Sequence, residues 1–235
     1  MRIDSHGISD IGRVRDENED AFLIDREHSV FAVADGLGGL PEGALASKTT
    51  ISILEKELRQ RGVPDNFKAL FERMNLEVVL LGRRISPDTG IGTTMTAAVV
   101  RNGRVEIVHI GDSAVYRFRA DGVEKLTTDH TLEEEIRSRP GYNPLTPIPR
   151  RHSHVLTRCL GQIENMEYDR YVYPVDSGDR LLLCTDGITL SITPEEIHPR
   201  MLAAKDPETF TRELIDLANE RGGRDNATAI TVFID

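Results

Sequence analysis

The sequence is short of several things, and each shortage removes a class of function. Its 235 residues hold only two cysteines, Cys159 and Cys184, each inside an apolar run ("LTRCLG", "LLLCTDG"). That usage fits buried free thiols in a reducing compartment and not a disulfide scaffold. Basic residues are outnumbered, 29 Lys and Arg against 39 Asp and Glu, for a formal net charge of −10. A nucleic-acid-binding surface is normally basic, so no nucleic-acid partner is expected. No apolar run approaches the roughly 18 residues needed to cross a bilayer, and "MRIDSHGISD" lacks the apolar stretch of a secretion signal. A cytoplasmic protein without a membrane partner is the expectation. The GxxxxGK[ST] phosphate loop is missing, which weakens any reading as a kinase or nucleotide-driven motor. No Pro/Gly/Ser-rich linker, low-complexity tract or repeat divides the chain. One domain over residues 1–235 is therefore expected, long enough for one well-filled core.

What is present falls into blocks. Strand-like runs come first: "RIDSHGIS", "DAFLIDRE" and "SVFAVADG". Two helical stripes follow, Ala44, Ile51, Leu54 and Leu58, then Phe67, Leu70, Phe71, Met74, Val78 and Leu81. Pro64 and Asp65 suit the start of the second. Strands resume in "TTMTAAVVRNGRVEIVHIGD" and "AVYRFRADGVEKLT", whose Asn-Gly and Asp-Gly pairs predict hairpins. From 129 to 154 the prolines 140, 144, 147 and 149 rule out long regular elements, so this stretch reads as a surface loop. Within it Glu133 to Glu135 read as a solvated helix face. His152 and His154 ("RHSH"), with no cysteine partners, read as solvated loop residues rather than a zinc site. Strands return in "EYDRYVYPV" and "DRLLLCTDG", a helix is expected over Pro207 to Glu220, and "NATAITVFI" closes as a strand. Hairpin-linked strands with helices in separate blocks predict antiparallel sheets with helices packed outside.

Four apolar runs meet an acidic residue beside a small one: Asp35 with Gly36, Asp112, Asp186 with Gly187, and Asp225. Glu19 and Asp20 immediately precede a fifth. Any single Asp-Gly is ordinarily a turn. Taken together they place carboxylates at sheet ends, where they would repel unless a cation neutralised them. Oxygen donors without clustered Cys or His indicate Mg²⁺ or Mn²⁺ rather than zinc. Gly36 could add its carbonyl as a ligand. Two such cations bridged by one carboxylate, for which Asp35 is the choice, can activate a water and grip a phosphoryl oxygen. Arg15 lies five residues before Asp20 and suits bidentate binding of a phosphate.

In order along the chain stand "RDENEDA", "ADGLGG", "GTT", "GDSAVY", "LTTDHT", "LTRCLG", "CTDGIT" and "GRDNATAI". From about Ile8 to Ile234 this series resembles the metal-dependent serine/threonine protein phosphatases (the PPM, or type 2C, family), as a bacterial-type member. The resemblance implies an α+β fold, an αββα sandwich of two antiparallel sheets face to face with helices on both outer faces. It implies a binuclear Mn²⁺/Mg²⁺ centre between the sheets. By position, Asp35 would bridge both ions, Asp186 and Asp225 would complete the first site, and Glu19 with the Gly36 carbonyl would serve the second. Asp20 would orient metal-bound water, Arg15 would hold the substrate phosphate, and Asn226 would act from behind the ligands. Asp112 matches the aspartate that helps bind a third, weaker ion in bacterial members. The implied reaction is direct in-line attack by metal-activated water on phosphoserine or phosphothreonine, in a monomer that opposes a serine/threonine kinase.

Three positions depart from the family pattern. The histidine of the eukaryotic "DGHGG", proposed there as a general acid, is Leu37 here, leaving His130 and His152 as weak candidates for leaving-group protonation. The arginine of "GDSR" is Ala114. The Pro-rich 129–154 segment stands in place of the family's flap. Two rival readings follow. "LLLCTDGITL" loosely resembles the nucleophile motif of haloacid-dehalogenase-like phosphatases, but Cys184 stands where the nucleophilic aspartate should be. A catalytically impaired relative that binds phosphoproteins would typically have lost a carboxylate such as Asp35, Asp186 or Asp225, and all three are present.

Overall fold

Apolar side chains alternate between two buried faces along the strands, and a double sheet follows from that. In the computed structural model, which describes residues 1–37, 42–163 and 166–235, ten strands form two five-stranded sheets. The last two glycines of "ADGLGG" lie outside the described residues. One sheet runs in the order β1 (Ile3–Asp10), β10 (Ala227–Ile234), β9 (Arg180–Cys184), β6 (Ala114–Arg119) and β7 (Gly122–Lys125). The other runs β2 (Asp20–Asp25), β3 (Val30–Asp35), β4 (Met95–Arg101), β5 (Arg104–Ile110) and β8 (Asp169–Pro174). Every neighbouring pair is antiparallel.

Strand β3 shows how the layers arise. Phe31 and Val33 pack between the sheets with Val115, Leu181, Leu183, Ile230 and Val232. Val30, Ala32 and Ala34 face the other way, onto Ile51, Leu54, Leu58, Phe71 and Met74. Those five belong to α1 (Gly43–Arg61) and α2 (Lys68–Ile85). Strand β9 does the same in mirror image: Leu181 and Leu183 point inward, while Leu182 and Cys184 pack under Ile197, Met201, Phe210 and Leu214. These come from α5 (Pro194–Ala203) and α6 (Pro207–Glu220). Period-two alternation with both faces buried gives the four-layer αββα sandwich.

Two further helices are short, α3 (Leu132–Arg137) and α4 (Asp186–Thr189). The 129–154 segment is thus more regular than its prolines predict. Thr131 caps the six-residue α3 by accepting from the Glu134 amide, and a 3₁₀ turn covers Arg150–His154. The second long helix starts at Lys68 and not near Pro64, because the Asn66 side chain accepts from the Lys68 amide and closes the turn there. Helix α5 has no counterpart in the sequence reading, although "TPEE" carries a signal for it. Thr193 and Glu196 form a reciprocal capping box with Pro194 in the first turn.

Candidate active site

The β2–β3 register sets Asp20 directly across from Asp35. Both stand at the ends of their strands, where the chain leaves the sheet. The Asp35 amide donates to Thr94 Oγ1 (2.9 Å), while its carbonyl accepts from the Thr94 amide and the Thr93 hydroxyl, each at 2.8 Å. Gly36 follows, its amide donating to the Glu19 carbonyl at 3.1 Å. A Cβ on Gly36 would overlap the Gly43 backbone, and one on Gly43 would press on the Glu19 carboxylate. These glycines let the start of α1 close against the strand ends.

Asp186 opens α4 directly after β9, and Asp225 precedes β10. Asn226 links this edge to the amino-terminal segment. Its Oδ1 accepts from the Glu19 amide at 2.8 Å, and its Nδ2 donates to the Ile11 and Glu17 carbonyls, each at 2.9 Å. Asp20 Oδ2 accepts from Thr185 Oγ1 (2.8 Å) and Thr228 Oγ1 (2.6 Å), which fixes the carboxylate. Its Oδ1 is buried with no partner among the described residues.

Glu19, Asp35, Gly36, Asp112, Asp186 and Asp225, with Arg15 and Leu37, line one cleft of about 660 Å³. All six residues expected to ligate metal are therefore brought together, from chain positions as far apart as 19 and 225. Desolvation dominates their electrostatics, with the repulsion of neighbouring carboxylates added to it. Burial first, then the fields of Asp186 and Asp225, raise Asp20 to about 7. Burial and Asp186 raise Asp112 to about 7, and burial and Asp225 raise Asp186 to about 6. Asp35 is pushed well above the usual carboxylate range by burial and by Asp20, Asp186, Asp112 and Asp225. Burial also raises Glu19.

One cation already answers this field. Arg15 donates from Nη2 to Asp225 Oδ2 at 2.8 Å, and its other terminal nitrogen lies 4.0 Å from Glu19. The hydrogen bond to Asp225 raises its pKa. Among the described residues no three His, Cys, Asp or Glu side chains close around a common point. An all-oxygen donor set, pKa values raised by burial and then by neighbouring carboxylates, and an orphaned buried oxygen on Asp20 together fit a hard divalent cation.

The histidines divide differently from expectation. His130 is buried; its Nδ1 accepts from the Gly111 amide at 3.1 Å, and burial lowers its pKa. Its ring packs 4.7 Å from that of His109, tilted by 46°, and His109 is itself held neutral by burial with a pKa of about 3. Neither His130 nor His152 lines the cleft, so both lose standing as proton donors to a substrate. His154 does line it, with Nδ1 3.9 Å from Asp186. Alternation in "RHSH" gave no hint of this, because the 3₁₀ turn decides which histidine faces inward. Cys159 lines the cleft as a free thiol and Cys184 is free and buried; burial raises Cys159 to about 11, so it is no nucleophile. Ala114 packs beneath α5 and α6 as a core residue.

Comparison with known proteins places this arrangement. A family model described as Protein phosphatase 2C matches residues 13–226. The chain is similar to the serine/threonine phosphatase stp of Listeria innocua, 30% identical over 234 residues that cover 95% of this chain and 93% of the relative. It is also similar to the PPM Ser-Thr phosphatase MsPP of Mycobacterium smegmatis, solved in complex with cacodylate, at 33% identity, 98% of each chain and a TM-score of 0.82. The catalytic domain of the serine threonine protein phosphatase PstP, in complex with two manganese ions, matches at 30% identity, 99% of each chain and a TM-score of 0.82.

Proposed function

The chain belongs to the protein phosphatase 2C family, and from that premise we propose that it hydrolyses phosphoserine and phosphothreonine in proteins with two Mn²⁺ or Mg²⁺ ions. The observation that carries this reading is the convergence of Glu19, Asp35, Asp112, Asp186 and Asp225 on one cleft with the Gly36 backbone. Asp35, Asp186 and Asp225 would hold the first ion, and Asp35, Glu19 and the Gly36 carbonyl the second. Asp112, beside Asp186, would help hold a third. When bound, the ions supply Lewis acidity toward a phosphoryl oxygen and a nucleophile at neutral pH.

The chain's own groups do the rest. Thr185 and Thr228 hold Asp20 in one orientation, leaving its second oxygen to accept a proton or orient a water. Arg15 spends one nitrogen on Asp225 and keeps further N–H donors at the mouth of the cleft for the phosphate. Asn226 anchors the Glu19 backbone and so fixes where that carboxylate starts. Residues 1–235 would act as one catalytic domain and as a monomer, opposing a serine/threonine kinase. No helix among the described residues is long and apolar enough to cross a membrane. Two free, buried cysteines support a cytoplasmic setting.

The test is hydrolysis of a phosphoserine peptide with Mn²⁺, with chelator, and by Asp186→Asn. Turnover should need the ion, and Asp186→Asn should lower it at least about 100-fold, the order of loss when a catalytic electrostatic partner is removed. Metal-independent turnover, or full activity in the variant, would contradict the reading. Phosphopeptide binding without hydrolysis of any phosphoester would favour an impaired, binding-only relative.

A further inference from the structure

Next to the cleft lies a second hollow, of about 380 Å³, whose lining includes His154, Asp225, Leu190, Ser191, Arg221 and Arg224. His154 and Asp225 also line the cleft, so the two hollows share a wall and a bound chain could run from one into the other. The far side of the hollow is basic in a chain whose formal net charge is −10. Its two arginines differ. Arg221 is already neutralised, paired to both carboxylate oxygens of Glu196 at 3.0 and 2.8 Å and donating to the Ser191 carbonyl. Arg224 is exposed, and among the described residues it makes no ion pair or hydrogen bond from its side chain. Beside it Leu190 is 54% exposed.

The backbone sets Arg224 where it is. Gly222 and Gly223 turn the chain between α6 and β10 with φ of +124° and +50°. A side chain on Gly223 would meet the backbone and side chain of Arg13, whose amide donates to the Gly223 carbonyl at 2.7 Å. That close approach is what a glycine permits. It brings the 11–15 segment, with Arg15, alongside the turn that ends in Arg224.

An unpaired guanidinium beside an anion-lined cleft wants an anion, and a phosphoresidue in the cleft leaves only its flanking residues to supply one. Resting on the phosphatase reading above, we infer that this hollow is a substrate subsite in which Arg224 receives an acidic side chain flanking the phosphoserine or phosphothreonine. Leu190 gives the flanking chain an apolar surface, and the neutralised Arg221 holds the wall with Ser191. The preference is set in substrate binding, so it appears in KM before kcat.

The experiment uses alanine-based phosphoserine peptides carrying one Glu, or one Lys, moved from three residues before the phosphoserine to three after. With Mn²⁺ the full chain should favour Glu over Ala at one position, or two adjacent ones, by about 3- to 5-fold in kcat/KM, the size of a partly exposed charge pair. Raising the salt to 0.5 M should shrink the preference. Arg224→Ala should bring the Glu/Ala ratio to about 1, and Arg224→Glu should invert it in favour of Lys at the same position. A merely structural role for Arg224 would lower all peptides together and leave the ratio in place. Equal ranking by the unaltered chain, or an Arg224→Glu variant that keeps its preference for Glu, would overturn the subsite. Hydrolysis of p-nitrophenyl phosphate by the unaltered chain reports separately on the phosphatase reading. The same peptides titrated by fluorescence anisotropy show the ranking, or its absence, without turnover.

Discussion

Asp35→Asn should make the metal-free protein more stable while it removes activity. Asp35 is half-buried at the cleft and faces Asp20, Asp112, Asp186 and Asp225, and desolvation first, then those charges, hold its pKa well above the usual range. A partly desolvated carboxylate among like charges carries a fraction of the several kcal/mol of a fully buried one, and asparagine keeps the shape without the charge. Relief of about 2 kcal/mol corresponds to a rise of roughly 5 °C in Tm for a chain of this size. The gain should depend on pH with a definite sign. The folded-state pKa lies above the unfolded value of about 3.9, so between the two the folded state binds more protons. Stability contributed by protonated Asp35 is complete below the unfolded pKa and is lost as pH rises through the folded one. The variant's advantage should therefore be largest near pH 7.5 and fade toward pH 5. With Mn²⁺ present the order should reverse, since the proposed bridging ligand is gone, and turnover should fall by about 1,000-fold or more. Thermal denaturation of both proteins at the two pH values, with and without Mn²⁺, reads all of this. A metal-free variant less stable than the parent at pH 7.5 would count against the repulsive cluster.

Gly187→Ala should damage the site without touching a carboxylate. A Cβ at this position would overlap the Asn226 carbonyl oxygen and press on Ala227. Neither is the end of a flexible side chain, so α4 or the start of β10 must move. Either movement separates Asp186 from Asp225 and disturbs the Asn226 bonds to Glu19, Ile11 and Glu17. Overpacking of this kind costs about 1–3 kcal/mol, or roughly 3–10 °C in Tm. Displacement of ligands by an ångström can cost about 100-fold in rate. Gly178→Ala is the comparison. Gly178 has φ of +97° and open space around its Cα, so alanine there should cost about 1 kcal/mol through backbone strain and leave Mn²⁺ affinity unchanged. Calorimetric titration with Mn²⁺ separates the two: equal affinities in both variants would mean that the Gly187 contact does not position the ligands.

Local chemistry explains which parts of this structure were legible in the sequence. The unbroken apolar run in "VFAVAD" was enough to place Val30–Asp35 as a buried strand, and the structure buries it on both faces. The "RNGR" hairpin was legible because Asn102 and Gly103 both take positive φ, of 52° and 69°. The stripe Phe210, Leu214 and Leu217 marked α6, and the structure adds the cap, with the Asp206 side chain accepting from the Thr209 amide. The acidic run Glu133 to Glu135, a solvated helix face in the sequence, falls in α3, whereas α5 is hidden because its signal is the Thr193–Glu196 capping box and not a long apolar stripe.

At the site, the acidic residues could be picked out because strand ends followed by glycine are local features. Their support could not. Asn226 and the Glu19 amide meet across 207 positions, and Thr185 and Thr228 reach Asp20 only because the adjacent ends of the interior strands β9 and β10 face the start of β2 in the other sheet. Such contacts depend on topology, which no window of sequence contains. The same holds for His154, brought to the cleft by a 3₁₀ turn, and for Arg224 beside it, whose side chain has no partner among the described residues.

Anomalous diffraction at the manganese edge, from crystals of the chain grown with Mn²⁺, tests the central claim most directly. Two strong peaks in the cleft, sharing Asp35 and otherwise bounded by Asp186 and Asp225 on one side and Glu19 with the Gly36 carbonyl on the other, are the predicted result. A cleft without manganese, or peaks that leave Asp35 unligated, would contradict it.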